Sequence, residues 1–222
     1  MRAEAMSAAD GAAHNAPRST LSSFHMYSMP GQVTLRDKEV RQLRLLDAKN
    51  VTSQRVLEYR SGAPVFGPTR GTEDPQPVRQ KIRMLNSVES KLGVPLPGGL
   101  VRTYVRDNKG ALRFIGEDRI QNTAVGNDIM LDLGHAFDVT VKRQQTDFRR
   151  TGDRVTETAF NLTLRNGGTS TAMVNLIEDI PGDWEILSET LTHSRDGVAA
   201  QWTVHVPAHG SVDLAYRVRG RR

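Results

Sequence analysis

The sequence predicts an all-β protein of two β-rich lobes, the C-terminal one an immunoglobulin-like β-sandwich, and three observations carry that expectation. Apolar and polar residues alternate with period 2 in nearly every patterned segment, which puts successive side chains on opposite faces of an extended chain. Turn residues punctuate these segments at short intervals, as in Asp107-Asn108-Lys109-Gly110, Asn166-Gly167-Gly168, Ile180-Pro181-Gly182-Asp183 and Asp196-Gly197. Helical spacing is confined to one ambiguous stretch, 39–46, where Leu43, Leu45 and Leu46 suit a helix as well as a strand.

In chain order, residues 1–23 are rich in Ala, Ser and polar side chains and read as a disordered tail. The N-terminal β-rich lobe is assigned to 24–135, with strands expected at Phe24–Tyr27, 32–35, 39–46 and 51–59. Residues 61–77 hold four prolines and three glycines, which cannot pair in the middle of a sheet, so an exposed, mobile loop is expected there, open to cleavage at Arg70. Ile82 and Met84 resume a strand. Val101, Thr103 and Val105 then share one face, with Arg102, Tyr104 and Arg106 opposite, and Leu112 and Phe114 follow the turn. Ile129, Leu131 and Leu133 form the next alternating run, and Gly134 separates it from Phe137, Val139 and Val141.

The C-terminal sandwich is assigned to 136–222. Phe160, Leu162 and Leu164 line one strand face, and Asn166-Gly167-Gly168 is a hairpin signal leading to Val174 and Leu176. A strand at 185–191 follows, then alternating runs at 198–206 and 212–218. About seven short strands at this spacing are what an immunoglobulin-like sandwich needs. Trp184 and Trp202 belong in or beside its core, since burying so large a side chain stabilises by roughly 1.5–3 kcal/mol.

The ordered run LPGGLVRTYVRD, ALRFIGEDRI, IMLDLG and FDVTVKRQQTDF, with HMYSMPGQVTLRDKEVRQLRLL before it and Tyr216-Arg217-Val218 after it, resembles the bacterial domain of unknown function 4139 family, the mucoidy inhibitor A-like proteins. Fuller members of that family are exported and carry an N-terminal β-domain and a coiled-coil stretch ahead of this region. The resemblance implies a periplasmic or envelope-associated protein and favours strand over helix at 39–46. Residues 1–19 lack the apolar core of a signal peptide. Without the preceding elements, a sheet edge is expected to lie bare and to drive self-association.

Composition narrows the function classes. There is no cysteine, which excludes disulfides, thiol nucleophiles and Cys-based metal sites. No run of about 18 apolar residues exists to span a membrane as a helix. The net charge of +5 is spread along strands rather than gathered in one block, and aromatics make up only 5%, so no nucleic-acid partner is expected. No phosphate-cradling glycine motif and no G-x-S-x-G elbow is present. Of the six histidines only His205 and His209 lie close, and they read as surface residues rather than zinc ligands.

No catalytic, cofactor or metal residues are therefore assigned. Glu117, Asp118 and Trp184 are the candidate ligand or partner contacts. Adjacent strand residues point to opposite faces, so Glu117 and Asp118 are expected not to converge. The function expected is that of a non-enzymatic module acting by contact with a protein, a second copy of itself included. The competing reading is a hydrolase or other enzyme that gathers Glu117, Asp118 and a histidine from separate loops.

Overall fold

The computed structural model describes residues 18–21, 24–27, 32–62, 64–69 and 74–221. Its strands are β1 (Arg18–Leu21), β2 (Phe24–Tyr27), β3 (Gln54–Arg60), β4 (Gln76–Leu85), β5 (Gly99–Arg106), β6 (Leu112–Ile120), β7 (Asp128–Arg150), β8 (Val155–Asn166), β9 (Ala172–Asp179), β10 (Asp183–Glu189), β11 (Ser194–Asp196), β12 (Ala199–Val206) and β13 (Ser211–Arg221). The chain is all-β: among the described residues there is no helix.

Nine strands form one mixed sheet in the order β10-β13-β8-β7-β4-β3-β9-β12-β11, and β1-β2 and β5-β6 form two small antiparallel sheets. Every pairing in the large sheet is antiparallel except β3 with β9. The sheet folds over on itself, so that β12 faces β8 and β13 rather than pairing with them. Trp202 of β12 stacks on Tyr216 of β13 with ring centroids 5.0 Å apart, which marks where the two halves meet. The enclosed core is built from the inward phase of each strand: Leu57 and Tyr59, Val139 and Val141, Phe160, Leu162 and Leu164, Val174 and Leu176, Trp202 and Val204, Leu214 and Val218.

Several sequence expectations are corrected by this topology. Asn166-Gly167-Gly168 is not a hairpin, because β8 pairs with β7 and β13 while β9 pairs with β3 and β12. The Asn166 side chain is buried and donates to the carbonyls of Ser170, Val206 and Pro207, which fixes a corner crossing from one half of the sheet to the other. The chain also crosses between the halves after β9, β10 and β12, whereas β7-β8 and β11-β12 are consecutive strands that pair directly.

The break expected at Gly134 is absent: β7 runs from Asp128 to Arg150, and the boundary placed at 135/136 falls inside it. Strands β3 and β4, assigned to a separate N-terminal lobe, sit in the same sheet and core as β8 and β9. Gly134 takes φ 88°, and register slips lie between Pro77 and Arg79 and between Arg79 and Lys81 on the partner strand. Such bulges change which side chains face inward. Ile129 and Leu131 are buried, then Ala136, then Val139 and Val141, and Phe137 is left fully exposed.

Among its described residues, the segment 61–77 is only in part the exposed loop expected. Val65 and Phe66 are buried in the core, and Gln76 and Pro77 already belong to β4. Its backbone finds partners without a ladder: the Gln145 side chain donates to the carbonyl of Gly67 and accepts from the amide of Thr69, at 2.8 and 2.7 Å. Arg70 lies outside the described residues. Residues 18–21, assigned to the tail, pair as β1 with β2. The runs 32–35 and 39–46 form neither strand nor helix, since alternation makes a strand only where a neighbouring strand completes the hydrogen bonds.

Candidate contact surface

The three candidate contact residues stand apart. Glu117 in β6 meets Arg102 of β5 at 2.9 Å, a cross-strand ion pair on an exposed face. Asp118 points the other way, as period 2 requires, and accepts the backbone amide of Asp132 at 2.8 Å, tying β6 to β7. Trp184 is buried in the edge strand β10, with the Arg195 guanidinium 4.1 Å above its ring. It is thus covered by this chain rather than offered to a ligand.

Around Trp184 the two edges of the large sheet approach. The His193 ring lies between Trp184 and Trp202, at 5.8 and 5.9 Å. Glu189 accepts from Trp202 Nε1 at 2.9 Å and contacts His193 Nδ1 at 3.0 Å. Burial by itself would raise the Glu189 carboxyl, but the hydrogen bonds from His193 and Trp202 hold it below its ordinary value. Arg195 of β11 also donates to the Trp184 carbonyl of β10, which ties the two edges together.

A second polar group lies inside the fold. Arg143 and Glu178 are 1% and 0% exposed and pair at 2.8 Å between β7 and β9. The guanidinium sits 3.7 Å over the Phe160 ring. Burial pushes the Tyr216 hydroxyl well above its ordinary range, with the Glu178 charge adding to that and the Arg143 charge opposing it. This cluster is enclosed by core side chains and offers no approach to a substrate.

A groove of about 430 Å³ is lined by Glu58, Arg60, Arg79, Lys81 and His135 among others. Its cations are compensated: Lys81 pairs with Glu58, Arg79 with Asp132 and Arg60 with Asp179. Among the described residues, no group of three or more His, Asp or Glu could hold a metal ion.

The β5-β6 arm is different. Its inward face, carrying Thr103, Gly116 and Asp118, packs toward Leu133 and Asp132 of β7, where a Cβ on Gly116 would lie 3.3 Å from the Leu133 backbone. Its outward face is read directly from the register: Leu100 beside Arg119, Arg102 beside Glu117, Tyr104 beside Phe114, and Arg106 beside Leu112. Leu100 and Tyr104 are each 49% exposed, Phe114 56% and Leu112 61%. Tyr104 and Phe114 meet edge to face at 5.6 Å. Among the described residues β5 pairs with no strand but β6, so the other side of its backbone is an open edge of eight residues.

Sequence alone did not single out this face, because Leu112 and Phe114 were expected on a buried side. The available signal was Tyr104, an aromatic out of phase with Val101, Thr103 and Val105, which makes both faces of that segment partly apolar. Comparison with protein-family models, with curated proteins and with solved structures finds no match for this chain.

Proposed function

We propose that this protein is a non-enzymatic contact module, an immunoglobulin-like sandwich that presents the β5-β6 arm as its docking element, within an exported or envelope-associated bacterial protein of the kind the mucoidy inhibitor-like resemblance implies. The observation that carries the reading is the open edge of β5 beside the exposed face of Leu100, Tyr104, Leu112 and Phe114. An unpaired edge offers a row of N–H and C=O groups to another chain, and strand addition is the mode of binding that uses it. The edges of the large sheet are poor competitors, since β11 has three residues and β10 has a bulge between Ile186 and Ser188. An apolar patch left in water is the common mark of a protein-binding surface.

With no other partner present, the edge pairs with a second copy. Arg102, Arg106 and Arg119 then bring like charge together, and salt screens that repulsion beyond about 8–10 Å. Self-association is therefore expected to strengthen as salt rises, the reverse of a contact held by charge pairs. Light scattering against salt concentration checks this, with Tyr104→Ser and Phe114→Ser weakening the association about tenfold. A chain that stays monomeric at high salt and high concentration would show that the β5 edge does not pair with a second copy.

A further inference from the structure

We infer that the preferred occupant of the β5 edge is an extended protein segment whose side chains alternate apolar and acidic along one face, an inference that rests on the strand-acceptor reading above. On its outward face β5 carries, in order, Leu100, Arg102, Tyr104 and Arg106. Same-face neighbours in a strand are about 6.5–7 Å apart, and a strand added at the edge places its own same-face residues opposite these at the same spacing. The complement of apolar–cation–apolar–cation is acid facing Arg102 and Arg106, and apolar side chains facing Leu100 and Tyr104.

The two arginines can accept such a partner. Arg102 uses its Nε on Glu117, and the contact shown for Arg106 is a bond from one terminal nitrogen to the Gly110 carbonyl. A guanidinium has five N–H donors, so each has capacity beyond its present bond. Arg119, beside Leu100, adds a third cation to the same face. The arm as a whole is cationic: Arg102, Arg106, Lys109, Arg113 and Arg119 face only Asp107, Glu117 and Asp118. A second copy brings the same cations and is repelled, whereas an acidic strand is attracted, so the heterologous contact is the stronger one.

The alternate residues of the incoming strand lie on the side of Gly99, Val101, Thr103 and Val105, where small and β-branched side chains fit. The partner is thus specified as a strand former on one face and as apolar-acidic on the other. An anionic lipid surface would satisfy the charge and the apolar area, but it makes no use of an open backbone edge or of strand-spaced alternation. The observations therefore favour a peptide over a membrane.

The test uses the full chain and a capped peptide that repeats Val-Thr-Glu-Thr, with a control repeating Val-Thr-Lys-Thr. A third peptide has the acidic sequence but is N-methylated at alternate residues, which blocks the ladder and keeps the side chains. The acidic peptide is expected to bind about tenfold tighter than the lysine control and to weaken as salt rises. Arg102→Ala with Arg106→Ala should abolish that preference while leaving the urea midpoint unchanged, since both side chains are exposed. Equal binding of the acidic and lysine peptides overturns the charge complement and leaves the strand-acceptor reading standing. Equal binding of the N-methylated peptide overturns the strand-acceptor reading itself. Capture by phosphatidylglycerol vesicles, with no peptide binding, overturns the protein occupant in favour of a lipid one.

Discussion

Replacing Arg143 with Met is expected to destabilise the fold by about 3–5 kcal/mol, because Glu178 is then left buried without its ion-pair partner. Both side chains are almost fully enclosed and pair at 2.8 Å. Removing one of them forfeits an interaction that offsets a large desolvation cost. The double replacement Arg143→Met with Glu178→Leu should recover most of the loss, since apolar residues of similar volume no longer need a partner. Urea unfolding of the two single variants and the double variant measures this as a cycle. A single variant that costs less than about 1 kcal/mol, or a double variant as unstable as the sum of the singles, would show that the pair is not closed from water.

Phe66→Ala should cost about 3–5 kcal/mol, although Phe66 lies in a segment without strand structure. Its ring is buried against Gly220 of β13, where an added Cβ would fall 2.0 Å from the ring edge. Gly220→Ala alone is therefore expected to overpack the site and cost about 1–3 kcal/mol. Combining the two should cost less than their sum, because the methyl group enters space the ring has left. The ring plugs the core beside the end of β13, and Gln145 holds the backbone that carries it. Thermal or urea unfolding in which Phe66→Ala changes little would return this segment to the surface loop that its prolines suggested.

The strand faces of β8, β9, β12 and β13 were legible because each keeps one phase throughout, as Leu162, Leu176, Val204 and Leu214 show. The phase of β7 was not, since two slips separate Leu131 from Val139 and leave Phe137 outside. The buried ion pair has a signature in the sequence. Arg143 continues the phase of Val139 and Val141, and Glu178 that of Val174 and Leu176, so each strand carries one charge of opposite sign in its apolar phase. Pairing order was beyond local pattern: a turn such as Asn166-Gly167-Gly168 serves a hairpin or a corner, and only the Asn166 contacts with Val206 and Pro207 decide between them. Period 2 did separate Glu117 from Asp118. It could not show that the described residues leave the arm without a cover, because exposure of Tyr104 and Phe114 depends on how the rest of the chain packs.

Amide hydrogen exchange along Gly99–Arg106 tests the docking role of β5 most directly. In the dispersed chain at low salt, the outward amides of β5 should exchange rapidly, while those of its neighbour β6 facing it are protected by the ladder. On self-association at high salt, or with the acidic peptide bound, the outward amides should slow by about tenfold or more, with the strands of the large sheet unchanged. Protection of those amides already in the dispersed chain, or particle growth that leaves their exchange untouched, would contradict a docking edge at β5.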